Sequence, residues 1–125
     1  MVADITADDI VKEGRIQVSG YQEWSALTEA VYYILLSLYT PLHGYGIMQK
    51  AKELSNERVN LGPGTLYGAI NTLLEKKWIK SVDGEKDSRK KEYEITSMGK
   101  KVVNMEIIRL EELISNGKKI IGGEF

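Results

Sequence analysis

The spacing of apolar residues changes after the middle of this chain, and that change sets the order of its elements. In the stretch from Leu61 to Trp78, L-G-P-G-T-L-Y-G-A-I-N-T-L-L-E-K-K-W, residues Leu66, Ile70, Leu73 and Leu74 recur at the interval of a helix with one buried face. Directly after it W-I-K-S-V reads as a strand, and K-E-Y-E-I-T at 91–96 alternates as a second. The D-G-E-K-D-S-R-K between them is turn-forming and charged, which predicts an antiparallel hairpin with a basic tip. The preceding helix opens on Gly62-Pro63-Gly64, and Pro63 suits the first helical position, where its missing N–H costs nothing. Its outward face carries Thr65, Gly68, Asn71, Thr72 and Glu75. Such a small, polar face can lie against something flat and regular.

Two helices are expected upstream. Thr28 is a good N-cap for a helix through Tyr39, with Glu29 where the helix dipole favours it. That helix is apolar nearly all round and so is expected to be buried from several sides. Pro41 stops it, and L-H-G-Y-G reads as a short connection to a second helix over Ile47 to Ser55. With the Pro63 helix this makes a helix-turn-helix, and the hairpin behind it makes a winged helix over 27–96, mainly α with a small antiparallel β-hairpin.

Thr96 or Ser97 can cap a last helix from about Met98 to Ser115, ended by Asn116-Gly117. Its apolar arc spans roughly 200°, more than one small domain covers easily. A second copy of the chain would cover it, so 97–117 is read as a dimerisation helix with Val102, Met105, Leu110 and Leu113 at the interface. Residues 118–125 are expected to form a mobile tail. Residues 1–26 are read as an extension that packs on the dimer, with a short helix near Ala7 to Glu13 capped by Thr6 and Asp9.

With 125 residues, 28% charged and 42% hydrophobic, the composition is that of one ordinary soluble domain. There is no cysteine, which excludes disulfide scaffolds, cysteine zinc sites and thiol catalysis. The apolar run Ala30 to Tyr39 is too short to cross a bilayer, and the N-terminus lacks the order of a signal peptide, so we read the protein as cytoplasmic. The net charge of −1 hides a gradient. Met1 to Trp24 carries five acids against two bases, whereas Arg58 to Lys91 carries eight bases against four acids. A local basic face matters more for phosphate binding than the overall balance does.

Enzyme chemistry finds little to work with. There is one histidine, His43, and no P-loop, nucleophile elbow or His-Glu-x-x-His pattern. No cofactor, metal site or catalytic residue is expected. DNA binding fits better, because it asks for phosphate donors beside a helix slim enough for the major groove. Gly62 and Gly64 allow close approach at a helix start where free N–H groups attract a phosphate. Thr65, Tyr67 and Asn71 offer hydroxyl and amide groups to base edges or phosphates, and Lys86, Arg89, Lys90 and Lys91 at the hairpin tip can reach the backbone. Two positions stay open in the sequence. Gly68 costs about 1 kcal/mol against alanine in mid-helix, for close packing inside the protein or for contact outside it. Tyr67 either packs on the second helix or meets DNA.

The pieces L-T-E-A-V-Y-Y-I-L-L-S-L, H-G-Y-G-I, P-G-T-L-Y-G-A-I-N-T-L-L-E-K-K-W-I and R-K-K-E-Y-E-I-T-S-M-G-K occur here in order. Together, over about Leu27 to Val103, they resemble the PadR family of transcriptional regulators. Two departures stand out: family members often have proline where Gly68 stands, and a basic pair where Asn71 and Thr72 stand. The resemblance implies a homodimeric winged-helix repressor that binds double-stranded DNA at an inverted-repeat operator and answers to a small, often aromatic effector. Matched by position, Tyr45, Pro63, Gly64, Thr65, Tyr67 and Asn71 would form or frame the DNA-reading surface, and Arg89 and Lys90 would contact phosphates. Tyr21, Trp24 and Tyr32 are candidates for lining an effector cavity. The alternative is a winged-helix module that binds a protein partner and no operator, which the near-neutral charge and the missing basic pair favour.

Overall fold

In a computed structural model the described residues are 26–82 and 91–122. The expected helix near Ala7, the residues Tyr21 and Trp24, and the hairpin tip with Lys86, Arg89 and Lys90 therefore lie outside the described residues. The chain divides into two compact units, one over 27–100 and one from the two ends, 1–26 with 101–125.

Helix α1 spans Glu29–Ser37, and Thr28 caps it by accepting the Val31 N–H at 3.1 Å. Ile34 and Leu35 are fully buried, and the buried Ser37 hydroxyl donates to the Ile34 carbonyl at 2.8 Å. The helix ends short of Tyr39, with Leu38 as its C-cap, and the Leu38 carbonyl accepts the Ile95 N–H at 2.9 Å. The L-H-G-Y-G segment is not a simple connection. Leu42–His43 form strand β1, and helix α2, Gly44–Leu54, starts at once, three residues earlier than the periodicity predicts.

Helix α3 is Pro63–Glu75, with Gly62 as its N-cap and proline in its first turn. Strands β2, Ile79–Val82, and β3, Glu92–Ile95, form the predicted hairpin, and β1 extends it to three antiparallel strands in the order β1-β3-β2. Leu42 stands opposite Tyr93 and His43 opposite Glu92. Helix α2 packs against both α1 and α3, and α3 packs against β2. The core between them holds Ile34, Leu35, Leu38, Ile47, Ala51, Leu66, Ile70, Leu73, Trp78, Ile79, Tyr93 and Ile95, all buried.

Both α2 and α3 close with the same backbone motif, and neither uses glycine. After α2 the Asn56 N–H donates to Glu53 O (3.2 Å) and the Glu57 N–H to Lys52 O (2.8 Å). After α3 the Lys77 N–H donates to Leu74 O (3.0 Å) and the Trp78 N–H to Leu73 O (3.1 Å). These paired bonds are Schellman closures, whose turning residue must be left-handed. Asn56 (φ 57°) and Lys77 (φ 65°) occupy that position. The link after α2 is held further by the buried Ser55 hydroxyl, which accepts the Val59 N–H at 2.8 Å. Arg58 on the same link pairs with Glu29 at the start of α1, its Nε donating to Oε2 at 2.9 Å. Hydrogen bonding to that guanidinium holds the Glu29 carboxyl below the usual carboxylate value.

Thr96 joins the hairpin to the last helix, α4, Ser97–Ile121. Its hydroxyl donates to Lys77 O at 2.7 Å and accepts the Gly99 N–H at 3.1 Å, while its own N–H donates to Trp78 O at 2.9 Å. Gly99 is packed so tightly that an added Cβ would lie 2.2 Å from the Trp78 carbonyl oxygen. Contrary to expectation, α4 does not stop at Asn116-Gly117, and the first four residues of the expected tail are helical. One exposed glycine costs about 1 kcal/mol, too little to end a helix of this length. The stop comes at Gly122, left-handed at φ 104°, whose N–H donates to Lys118 O at 2.9 Å. Among the described residues no helix is long and apolar enough to cross a membrane.

Thr96→Val removes both hydroxyl bonds at nearly constant shape and should cost about 1–2 kcal/mol, read as a lower urea midpoint at unchanged m-value. Lys77→Gly should move the midpoint the other way, by up to about 1 kcal/mol, because glycine accepts the left-handed backbone freely. A destabilised Lys77→Gly protein would contradict the strain assigned to that position.

Candidate nucleic-acid interface

Helix α3 is amphipathic in the manner its sequence predicts. Leu66, Ile70 and Leu73 anchor it in the core, while Gly62, Pro63, Gly64, Thr65, Tyr67, Gly68, Asn71, Thr72 and Glu75 are exposed. The predicted site residues Pro63, Gly64, Thr65, Tyr67 and Asn71 thus share one solvent-facing helix. Gly68 does not serve packing inside the protein, since nothing lies within 4 Å of where its Cβ would be. The same holds for Gly62 and Gly64.

The helix starts divide into two kinds. Thr28 caps α1 and Thr96 caps α4 through side-chain oxygens. No side chain caps α2 at His43 or α3 at Gly62. The N–H groups of an uncapped first turn, with the positive end of the helix dipole, suit an anionic oxygen.

Tyr67 links these two uncapped starts. A Cβ on Gly44 would fall 2.1 Å from the Tyr67 hydroxyl oxygen and 2.7 Å from Cζ, so the ring end rests on the backbone at the start of α2. Tyr67 nevertheless keeps 44% of its surface exposed. Its ring packs on α2 and still presents surface outward. Tyr45, the next residue after Gly44, is 63% exposed. Gly44 is a site-shaping residue that the sequence reading passed over, and the glycine pair of H-G-Y-G was its only signal. Tyr93 lies beneath, buried in β3, and burial followed by the neighbouring Tyr67 pushes its hydroxyl pKa up.

On the hairpin, the exposed Lys80 of β2 and Lys91 just before β3 are the cations that can be placed; Lys86, Arg89 and Lys90 fall in the tip. On α4, Val102 and Met105 are buried at 1% and 5% exposure. Leu110 is half-buried, and Leu113 is exposed together with Ile107, Ile114, Ile120 and Ile121. Tyr32 is half-buried on α1, its ring 5.7 Å from that of Tyr33.

Residues 31–105 match the transcriptional regulator PadR-like family. Among solved structures, the chain is similar to a transcriptional regulator from Clostridium thermocellum, with 25% identity and a TM-score of 0.58, covering 86% of this chain and 95% of that one. A PadR family transcriptional regulator from Eggerthella lenta gives 21% identity and a TM-score of 0.60, over 92% of this chain and 95% of that one. A PadR-like transcription factor from Bacteroides fragilis gives 22% identity and a TM-score of 0.61, over 90% of this chain and 99% of that one. No curated protein matches the chain.

The contact between Gly44 and Tyr67 is open to a double-mutant cycle. Gly44→Ala should destabilise the wild-type chain by about 0.5–1 kcal/mol more than it destabilises a Tyr67→Ala chain, measured by urea unfolding. Equal penalties in the two backgrounds would mean that the ring does not rest on Gly44.

Proposed function

The chain belongs to the transcriptional regulator PadR-like family, and we propose that within it this protein is a dimeric, sequence-specific DNA-binding repressor. The observation that carries this reading is the surface of α3. A 13-residue helix is anchored by three buried residues and turns a bare, uncapped start outward, with Thr65, Tyr67 and Asn71 along its exposed side. Such a helix fits a major groove, whose base edges carry the donor and acceptor pattern that specifies sequence. Two copies related by a two-fold axis would place their α3 helices about one helical turn apart on an inverted repeat. Lys86, Arg89 and Lys90 of the wing, with Lys80 and Lys91, would supply phosphate contacts.

The exposed apolar residues of α4, from Ile107 through Leu113 and Ile114 to Ile121, support a second copy as the partner of this helix. Leu110 and Leu113 would meet the second copy directly, with the buried Val102 and Met105 behind them on the same helix. For release from DNA we propose a small aromatic effector that favours a conformation of lower operator affinity. Tyr32, half-buried on α1, and Tyr21 and Trp24, assigned on sequence alone, would line its site.

Mobility shifts with the protein's own upstream DNA should show one dimer bound, with affinity falling steeply as salt rises. Thr65→Ala should lose about 1–3 kcal/mol of discrimination between operator and altered sites, whereas Arg89→Ala should weaken all DNA alike and reduce the salt slope by about 1. Binding that is absent across a genomic fragment library, or indifferent to salt, would sink this function. Recovery of a stable protein partner in its place would favour the interaction module.

A further inference from the structure

We infer that Gly68 sets how closely α3 approaches the floor of the major groove, and that it is thereby a specificity-determining position. This rests on the reading of α3 as the helix that enters DNA. Gly68 is the sixth residue of that 13-residue helix. At 3.6 residues per turn it lies roughly opposite the ridge of Leu66, Ile70 and Leu73, on the line that meets a groove floor first. A glycine in mid-helix weakens the helix relative to alanine, so its presence calls for a compensating contact.

At two other glycines the compensation is internal, and Gly117 of α4, also unobstructed, lies on a helix outside the helix-turn-helix. A Cβ at Gly44 would strike the Tyr67 ring, and one at Gly99 would strike the Trp78 carbonyl oxygen at 2.2 Å. Around Gly68 there is open space to 4 Å, and its backbone is not left-handed, so neither packing nor conformation requires glycine. The neighbouring turns extend the bare strip. Gly64, one turn earlier, is equally unobstructed, and the Thr72 hydroxyl, one turn later, folds back to donate to the Gly68 carbonyl at 3.2 Å. The helix therefore presents backbone where most helices present side chains. Its backbone cylinder, about 2.3 Å in radius, can come against base edges directly. Thr65, Tyr67 and Asn71 lie to either side of the strip, so their reach to the bases depends on how deeply it seats.

The test starts from the duplex that the full-length wild-type protein selects out of a random pool. Gly68→Ala and Gly68→Leu should both melt at higher temperature than wild type. On the selected operator, affinity should fall at least tenfold for alanine and further for leucine. On an unrelated duplex it should stay within twofold, and reselection with Gly68→Ala should return a different site. Wild-type affinity of Gly68→Leu for the operator would overturn the inference, as would an equal loss on operator and unrelated DNA. A wild type that binds duplex without selecting any site would also overturn it, because no specificity would remain for Gly68 to set. A wild type that binds no duplex at all would remove the DNA-reading function itself, a result seen on the unmodified chain and so distinct from the others.

Discussion

The hydroxyl of Thr96 stands where every part of the DNA-binding unit meets. It donates to Lys77 O in the closure that follows α3 and accepts from the first turn of α4 at Gly99 N, while the Thr96 amide holds Trp78 at the head of β2. One residue earlier, Ile95 donates to Leu38 at the end of α1. Four elements are thus fixed through two consecutive residues of one strand end. The contact is short-range and leaves no slack, because Gly99 lies directly against the Trp78 carbonyl. The orientation of α3 on the core depends on this joint as much as on its three buried side chains, since burial alone resists sliding along the helix axis only weakly.

Much of this was legible because it is written in side chains close together in sequence. The buried face of α3, the Pro63 start, the Thr28 and Thr96 caps and the alternation of β3 all appear as expected. What escaped needed distant partners or backbone geometry. Strand β1 has two residues and exists through its pairing of Leu42 with Tyr93, so it leaves no period to read. The closures of α2 and α3 lack the usual glycine, because Asn56 and Lys77 tolerate the left-handed turn in a setting that fixes it. At Asn116-Gly117 the error ran the other way: a local stop signal was present, and a long exposed helix overrode it. At the interface, the sequence named the residues of α3 but not their support, since Gly44 matters only once Tyr67 lies across it.

The four helix starts among the described residues show a division of labour. Where a helix begins inside the framework, at Thr28 and Thr96, a side-chain oxygen satisfies its free N–H groups. Where α2 and α3 begin, beside the exposed Tyr45 and the bare glycines, that satisfaction is left undone. An uncapped start is less stable, and among the described helices the cost falls on the two of the helix-turn-helix. The glycines divide differently: Gly44 and Gly99 are constrained by neighbours, whereas Gly62, Gly64 and Gly68 of the α3 region face empty space, as does Gly117 on α4.

The two-residue strand β1 has an effect out of proportion to its length. Without it, β3 would be an edge strand with a row of unpaired backbone groups, the usual template for strand-to-strand aggregation. With it, the sheet ends on one side in a strand too short to extend and turning straight into α2. The other edge, β2, is four residues long and carries the exposed Lys80 and Ser81. Neither border invites a neighbouring chain to add a strand. Any association of copies would therefore have to use surface other than the two borders of this sheet, which leaves the route to fibrils closed.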